Sequence, residues 1–182
     1  MRIIAGKFKG LSLYSFNEDN IRPTPDKVRQ AIFNTIQFEI SGSSFLDLFA
    51  GTGGVSLEAI SRGASFVLTV EKDSRSLQLI KKNFNKANAD CNLFSMDYLQ
   101  AIKKFAHDKR QFDFIYLDPP FNTNLMEEAV VEIDKHNIIS DNGLIICEHE
   151  QSRRCLIPES LEVANYKKYG NVAVTFLRKK HV

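Results

Sequence analysis

Asp118, Pro119, Pro120 and Phe121 form the stretch of this sequence that is best suited to chemistry. The Asp118 carboxylate and the Pro119 carbonyl are two acceptors, and proline brings no N–H to compete with them. Each acceptor could take one N–H of a planar exocyclic amine on a nucleobase, which would free the nitrogen lone pair for attack. Phe121 could stack on the same base. The stretch predicts a site that activates a base amine, although it could also be an ordinary strand end with a Pro-rich turn.

The residues before this motif predict a buried strand. Residues 112–117 have the sequence Phe-Asp-Phe-Ile-Tyr-Leu, which alternates at first and then becomes apolar. The proline pair ends the strand because proline cannot donate to a β ladder and keeps the residue before it extended. Ligands of open α/β sheets bind at the carboxyl ends of the strands. We therefore expect Asp118 to lie at the ligand-binding edge of a sheet.

A glycine-rich turn joins an earlier predicted strand, 45–49, to a predicted helix, 55–62. The turn has the sequence Ala-Gly-Thr-Gly-Gly, and its glycines would let a ligand approach the backbone at the helix N-terminus. It is not the dinucleotide fingerprint, because Ser56 stands at the sixth position, and no Gly-Lys-Ser or Gly-Lys-Thr occurs. Asp47 disfavours a pyrophosphate and favours a ligand with an ammonium group, such as S-adenosyl-L-methionine.

Acidic residues end three successive predicted strands, at Asp47, Glu71 and Asp97. Glu71 follows the glycine turn at the distance where a carboxylate can accept both hydroxyls of a ribose, and Asp97 could accept the amine of adenine. Either acid alone could equally cap a helix or be a surface charge. With the turn, the three acids predict a site for S-adenosyl-L-methionine. Its predicted residues are Asp47, Phe49, Ala50, Gly51, Thr52, Gly53, Glu71, Lys72, Asp97 and Tyr98.

From residue 44 onwards, predicted strands and helices alternate, which indicates an α/β fold with a mostly parallel sheet and helices on both faces. The predicted strands are 45–49, 66–70, 92–95, 112–117 and 144–148, the last after an Asp-Asn-Gly turn. The predicted helices are 55–62, 74–89, 99–106 and 124–135. Residues 161–169 and 171–178, joined at Gly170, predict an antiparallel hairpin that closes the sheet.

The first 43 residues are predicted to form a separate region in front of the α/β domain of residues 44–182. Short apolar segments with glycines at positions 6 and 10 predict a small β appendage over 2–16, and helical spacing predicts a helix over 27–38. Arg2, Lys7 and Lys9 have no acidic neighbour before Glu18, and the tail after Glu162 carries five basic residues and no acid. Basic ends suggest a polyanionic partner, although such clusters can simply keep a surface soluble.

Length and composition fit one soluble globular core. The chain has 182 residues, of which 43% are hydrophobic and 25% charged, with a net charge of +2. There is no apolar run long enough to cross a bilayer and no secretory signal, so we expect a cytoplasmic protein. The three cysteines, Cys91, Cys147 and Cys155, are widely spaced, and they predict neither a disulfide framework nor a metal site.

The cofactor residues and the Asp118-Pro119-Pro120-Phe121 motif resemble the Rossmann-like S-adenosyl-L-methionine-dependent methyltransferases that modify exocyclic amines, over most of residues 44–182. More narrowly, three segments resemble the RsmD family: Arg2-Ile3-Ile4-Ala5-Gly6-Lys7, Arg22-Pro23-Thr24 and Asp47-Leu48-Phe49-Ala50-Gly51-Thr52-Gly53. That family usually has Ala or Ser at the position of Gly54, which is a small departure. It often has Tyr or Phe at the position of Phe121, which fits.

The resemblance implies methyl transfer to the exocyclic N2 amine of a guanine in 16S ribosomal RNA. It also implies a seven-stranded sheet with a reversed final hairpin, a monomer, and a substrate presented by the small ribosomal subunit or its assembly intermediate. With RNA as substrate, the N-terminal region would form the RNA-facing wall opposite the basic C-terminal hairpin. The residues predicted to face RNA are Arg2, Lys7, Lys9, Arg22, Thr24 and Arg29.

Three alternatives stay open at this point. DNA adenine-N6 methyltransferases share the motif but usually carry an added recognition region, for which the chain has little room. Protein-glutamine methyltransferases normally begin the motif with Asn, so Asp118 counts against them. A non-catalytic RNA-binding module on the same fold is a different class of protein, and the acids at positions 47, 71, 97 and 118 argue against it.

Overall fold

The computed structural model of the chain describes residues 1–16, 25–153 and 155–180. Helices and strands alternate along these residues from residue 44. The helices are α1 (Asp26–Thr35), α2 (Gly54–Ser61), α3 (Ser74–Ala87), α4 (Tyr98–His107) and α5 (Leu125–Lys135). The strands are β1 (Ser44–Asp47), β2 (Phe66–Glu71), β3 (Leu93–Ser95), β4 (Phe112–Leu117), β5 (Ile139–Glu150), β6 (Leu161–Tyr169) and β7 (Val172–Lys179).

The strands belong to a seven-stranded mixed sheet with the order β3-β2-β1-β4-β5-β7-β6. The pairs β1–β2, β2–β3 and β4–β5 are parallel. Strand β7 runs antiparallel to both β5 and β6. The α/β fold class and the antiparallel C-terminal hairpin predicted from the sequence are therefore confirmed.

Most elements lie within two residues of their predicted bounds, and helix α1 and strand β5 differ by more. Helix α1 ends at Thr35 rather than at 38, although Ile36 beyond its end is still buried, and the Phe38 side chain is 88% exposed. Strand β5 begins at Ile139 rather than at 144. Its ladder with β4 shifts register, since Phe112 pairs with Ile139 and Phe114 with Leu144. The Asp-Asn-Gly segment thus lies in an irregularity within the strand rather than in a turn before it.

Contacts within the chain divide it into two compact units, residues 1–96 and 97–182. The predicted division at residue 43 stays a prediction. In the first unit, the N-terminal arm (residues 1–16) packs against α2 and α3. The core there is formed by Ile3, Leu13, Ala50, Leu57, Ile80, Phe84 and Ala87.

The predicted β appendage takes the form of this arm, with one isolated antiparallel bridge between Arg2 and Ser12. A buried carboxylate on α2, Glu58, accepts hydrogen bonds from the backbone N–H groups of Ile4 (2.8 Å) and Ala5 (3.1 Å). At Gly6 the backbone has φ +80° and comes so close to the end of α2 that a Cβ atom would overlap the α2 backbone. The arm is therefore fixed to α2 by its backbone as well as by its apolar side chains.

The second unit surrounds β4 with apolar side chains. Every residue of β4 is buried except Asp113, which is half-buried. The Phe105 ring of α4 meets the Phe112 ring edge-on, with centroids 5.5 Å apart. A strand packed in this way has a fixed end, and so it fixes the position of the residue that follows Leu117.

Some features are absent from the described residues. No helix among them is long and apolar enough to cross a membrane. They contain no group of three or more His, Cys, Asp or Glu side chains that could hold a metal ion. The three cysteines are free thiols.

Candidate active site

The glycine-rich turn between β1 and α2 has the backbone that its sequence predicts. Gly51 and Gly53 both have left-handed backbones, with φ of 55° and 76°. Gly53 is the N-cap of α2, and its N–H donates to the Ala50 carbonyl (2.8 Å). Residues other than glycine adopt this conformation only with strain. The turn therefore places backbone groups, rather than side chains, at the start of the helix.

Gly54, where the resemblance departs from the family pattern, has a physical counterpart in the arm. A Cβ atom at this position would overlap the sulfur of Met1. The Thr52 hydroxyl also points to that sulfur, at 3.8 Å. In this chain the methionine side chain fills the space that a small side chain would occupy at position 54.

Asp47 is fully buried at the end of β1. Its Oδ2 accepts a hydrogen bond from the Ser56 hydroxyl (2.8 Å), which in turn accepts one from Thr69 (3.0 Å). Its Oδ1 has no hydrogen-bond partner in the part of the chain that the structure describes. Burial raises the pKa of Asp47 to about 7, and the negative charge of Glu71 adds to this, while the Ser56 hydrogen bond opposes it.

Glu71 ends β2 and holds the glycine turn. Its Oε2 accepts the N–H of Gly51 (2.9 Å). Its Oε1 accepts the N–H groups of Lys72 and Asp73, both at 2.8 Å. A carboxylate offers about four acceptor positions, so these three donors leave room for roughly one more. Glu71 thus links β2 to the turn after β1 through one side chain.

The residues of the first unit fit a cofactor that carries an ammonium group. The Asp47 Oδ1 atom is buried and lacks a donor, which an ammonium group would supply. Beside it, the glycine turn leaves backbone groups open to close approach. The other predicted cofactor residues of this unit lie on the same turn or directly after β2: Phe49, Ala50, Thr52 and Lys72.

Asp97 and Tyr98, predicted to meet adenine, begin α4 in the second unit. Asp97 is the N-cap, and its Oδ1 accepts the N–H of Leu99 (2.9 Å). The Tyr98 side chain is buried, and its hydroxyl donates to Glu128 (2.7 Å). Burial, followed by that hydrogen bond, raises the pKa of Tyr98 well above its usual value. Asp97 therefore has a capping role, and its contact with adenine stays a prediction.

The motif that follows β4 changes from buried to exposed within four residues. Asp118 is half-buried, Pro119 buried and Pro120 exposed. The side chain of Phe121 is 41% exposed, which is high for a residue of this size. The Thr123 hydroxyl donates to the Pro120 carbonyl (2.7 Å), which closes a tight turn behind the motif. The turn presents the Phe121 ring to solvent at the end of a rigid strand.

A shallow cleft lies beside this motif, within the second unit. Residues 119–123 form one wall, and the end of β5 forms another. The cleft is lined by Pro119, Pro120, Phe121, Asn122, Thr123, Met126, Glu148, His149, Glu150 and Arg153. The cleft is partly open to solvent, and it brings polar side chains from the end of β5 beside the motif.

The polar side chains of this cleft were not among the predicted site residues. Glu148 accepts a hydrogen bond from the Tyr116 hydroxyl (2.7 Å). His149 bonds the Glu150 carbonyl through Nδ1 and the Thr175 hydroxyl through Nε2, both at 2.8 Å. Arg153 binds Glu127 through two nitrogens, at 3.0 and 2.9 Å. Glu148 and His149 could have been found from their position at the end of an apolar predicted strand.

The predicted RNA-facing residues fall into three groups. Arg2, Lys7 and Lys9 are exposed on the arm. Arg22 and Thr24 lie outside the described residues. Arg29 is fully buried: its Nη2 donates to the Arg2 carbonyl and to Asp26 (3.0 Å), and its Nε lies 3.6 Å from Glu58. Burial leaves no guanidinium surface for a phosphate, so Arg29 is not kept as an RNA contact and is instead an anchor of the arm.

Known proteins resemble this chain over nearly its full length. The family described as conserved hypothetical protein 95 matches residues 1–178. The ribosomal RNA small subunit methyltransferase D of Haemophilus influenzae is 34% identical over 179 residues, which cover 95% of this chain and 91% of that protein. The Escherichia coli protein of the same name is 31% identical over 175 residues, with coverage of 95% and 87%.

A solved structure also matches the fold. The protein yhhF from Escherichia coli superposes with a TM-score of 0.84 at 26% identity, over 99% of this chain and 98% of that one. The similarity thus includes the N-terminal arm as well as the α/β elements.

Proposed function

This chain belongs to the RsmD family, and we propose that it transfers a methyl group from S-adenosyl-L-methionine to the exocyclic N2 amine of a guanine in small-subunit ribosomal RNA. The observation that carries the proposal is the Asp118-Pro119-Pro120-Phe121 motif at the end of β4, beside a shallow cleft and with the Phe121 ring exposed. Relatives named ribosomal RNA small subunit methyltransferase D support the RNA substrate.

The first unit would hold the cofactor through Asp47, the glycine turn and Glu71. When bound, S-adenosyl-L-methionine supplies an electrophilic methyl group on a sulfonium centre. Asp47 Oδ1 would accept from the ammonium group, which favours the ionised carboxylate despite its burial. Glu71 would accept the ribose hydroxyls, partly in place of the Gly51 N–H that it accepts without the cofactor. The turn would stay attached to β2 through the Ala50 N–H, which donates to the Val70 carbonyl (3.1 Å).

The adenine end would be bound by the start of α4. The proposed acceptor for the adenine amine is the Asp97 carboxylate. The Tyr98 hydroxyl is already engaged with Glu128, so any contribution of Tyr98 would come from its ring or its backbone.

Asp118 and Pro119 would act on the amine that receives the methyl group. Each accepts one N–H of the amine, which draws the nitrogen towards tetrahedral geometry and makes its lone pair available. As the nitrogen takes the methyl group, the bond from that methyl to the cofactor's sulfur would break, and the Asp118 carboxylate would stabilise the positive charge that develops on the nitrogen. One amine proton would then be lost to water, which leaves the neutral methylated amine. Both acceptors follow a buried strand, so they require little rearrangement before the reaction.

The base itself would be held by the exposed ring of Phe121 and by the cleft behind it. Stacking on an aromatic ring is a common way to hold an unstacked base. A guanine removed from its stack also needs compensating contacts elsewhere. The exposed cations of the arm, Arg2, Lys7 and Lys9, are candidates for such contacts with the RNA backbone.

We further propose that the protein acts as a monomer in the cytoplasm, on the small ribosomal subunit or its assembly intermediate. The chain would then meet RNA that already has its folded shape, which supplies contacts that a free base lacks. Activity on assembled particles above that on naked RNA would support this proposal.

The test of the proposed function is nucleoside analysis by mass spectrometry after incubation with S-adenosyl-L-methionine carrying an isotopically labelled methyl group. Small-subunit RNA, immature small subunits and duplex DNA are offered in parallel. Labelled N2-methylguanosine in RNA is expected. Label in N6-methyladenine of DNA would favour the alternative enzyme class, and cofactor binding without label in any nucleic acid would contradict the proposal.

A further inference from the structure

We propose that helix α3 carries an RNA-binding surface, the basic stripe, formed by Arg75, Lys82 and Lys86. This proposal rests on the proposed function and extends it, because the basic stripe would be a second contact surface for the same RNA substrate. The stripe lies on the cofactor-binding unit and does not include the cations of the arm. The three side chains are exposed. Within α3 there is no acidic residue to offset them.

Helix geometry places the three cations on one face. Residues 75, 82 and 86 are seven and four positions apart, and at 3.6 residues per turn they lie within about 40° of one another around the axis. The rise of 1.5 Å per residue sets the first and last about 17 Å apart. A row of this length can follow several phosphates of an RNA strand. The remaining cation of α3, Lys81, points about 120° away from Arg75.

Two of the three cations are held over aromatic rings of the arm. The Arg75 guanidinium lies 5.7 Å from the centre of the Phe16 ring. Lys86 Nζ lies 4.6 Å from the centre of the Tyr14 ring, and Tyr14 is itself 51% exposed. A cation over a ring face is attracted by the ring's quadrupole, so these long side chains are partly ordered before any ligand arrives. Cations that lie beside accessible aromatic rings, here the exposed Tyr14 and the half-buried Phe16, are the composition that single-stranded RNA binds.

The arm residue that carries one of these rings is itself fixed to α3. Asn83, buried one turn before Lys86, accepts the N–H of Tyr14 (2.7 Å) and donates to its carbonyl (3.0 Å). The stripe and the rings therefore form one surface with a defined shape. Less side-chain entropy remains to be lost on binding, which raises affinity for a given set of contacts.

The acidic groups nearest to the stripe in sequence lie at the helix ends. Asp73 precedes α3 and caps it, since its Oδ2 accepts the N–H of Ser76 (2.8 Å). Asp90 follows the helix. Neither stands between the cations of the stripe. The four cations of α3 outnumber these two acids, although Asp73 is close enough to Arg75 that its pKa, which the Ser76 hydrogen bond lowers most, is lowered further by the Arg75 charge.

The decisive experiment compares Lys82→Ala with Lys81→Ala, which remove the same charge from neighbouring positions on different faces of the same helix. Binding of small-subunit RNA is measured by filter binding across a series of salt concentrations. We expect Lys82→Ala, but not Lys81→Ala, to lower affinity and to make the salt dependence shallower by about 0.7 log units per log unit of salt for a single-stranded contact, or about 0.9 for a duplex. In the triple variant Arg75→Ala, Lys82→Ala, Lys86→Ala, the salt dependence of RNA binding should become shallower by up to three times that amount.

The proposal that the basic stripe binds RNA would be overturned if the two single variants had equal affinities and slopes and the triple variant bound like the wild type. Calorimetric affinity for S-adenosyl-L-methionine and circular dichroism should stay unchanged in every variant. A variant that binds naked RNA normally but binds assembled subunits weakly would mean that α3 contacts a ribosomal protein rather than RNA. This outcome would also overturn the proposal. The nucleoside assay tests the proposed function separately. A wild-type protein that binds RNA through the basic stripe but does not methylate it would refute the proposed function, while the proposed RNA-binding surface would still stand.

Discussion

Asn83 and Tyr14 exchange two hydrogen bonds that tie the N-terminal arm to α3, with Tyr14 N–H donating to Asn83 Oδ1 and Asn83 Nδ2 donating to the Tyr14 carbonyl. The same Nδ2 also donates to the carbonyl of Thr52 (2.9 Å). One buried amide thus links the arm to the glycine turn of the cofactor site. It gives the family's N-terminal segment a physical connection to the turn that is predicted to hold the methyl donor.

We expect Asn83→Ala to destabilise the protein by about 1–3 kcal/mol, because a backbone N–H and two carbonyls lose their buried partner. Urea unfolding followed by circular dichroism measures this change. Asn85→Ala is the matched control, since Asn85 lies on the same helix with an exposed side chain. Equal unfolding midpoints for the two variants would mean that the arm does not depend on the amide.

Asp118→Ala should leave cofactor affinity nearly intact and cut turnover by at least about a hundredfold, because removing one preorganised acceptor at a reacting group typically costs roughly 2.7–4 kcal/mol. Single-turnover methyl transfer measures the chemical step directly. Asp113→Asn, on the same strand, removes a charge that is not part of the motif, and it should keep turnover. Wild-type turnover in the Asp118 variant would falsify the proposed role of this carboxylate.

Phe121→Ala should weaken RNA binding by about 1–3 kcal/mol if a base stacks on the ring, while Phe121→Tyr should bind like the wild type. The measurement is the KM for RNA at saturating cofactor. The ring is exposed and adds little to the core, so a fall in thermal stability that matches the loss of binding would count against a stacking role.

The stability of the fold should depend on pH through Asp47. Its pKa is about 7 in the folded protein and near 3.8 when unfolded, so between these values the folded state holds a proton that the unfolded state has released. The free energy of unfolding should therefore fall as pH rises from about 4 to 7, by an amount on the order of 4 kcal/mol. Asp47→Asn should remove that component from a series of urea titrations. Parallel pH profiles for the two proteins would show that Asp47 titrates normally.

The order of elements was predictable from the sequence because the central strands are apolar runs that are closed by strong signals. The proline pair after Leu117 and the glycine turn after Asp47 are such signals. The burial of Arg29 was not predictable in this way. Its position near the start of a helix is typical of a solvated cation, and only the tertiary contact with Glu58 and with the arm shows that the charge is enclosed.

The cleft beside the motif shows a second limit of sequence reasoning. One wall of this cleft comes from the end of β5 and from Arg153, which lie about 30 residues or more after Asp118 in the chain. Local periodicity predicts that β5 is a strand, but it does not indicate which of its side chains meet residues 119–123. Those contacts depend on the parallel register of β4 with β5.

Glu71→Ala should weaken the binding of S-adenosyl-L-methionine strongly, for two reasons that can be separated. The variant loses the acceptor for the ribose, and it also releases the Gly51 N–H that the carboxylate holds at 2.9 Å. Glu71→Gln keeps one acceptor oxygen and the side-chain length, so it should retain part of the affinity. Calorimetry with S-adenosyl-L-methionine and with methionine alone distinguishes the two effects. If the ribose contact dominates, only the nucleoside-bearing ligand loses affinity, whereas a collapsed turn weakens both ligands alike. Unchanged affinity in Glu71→Ala, with an intact fold, would remove Glu71 from the site.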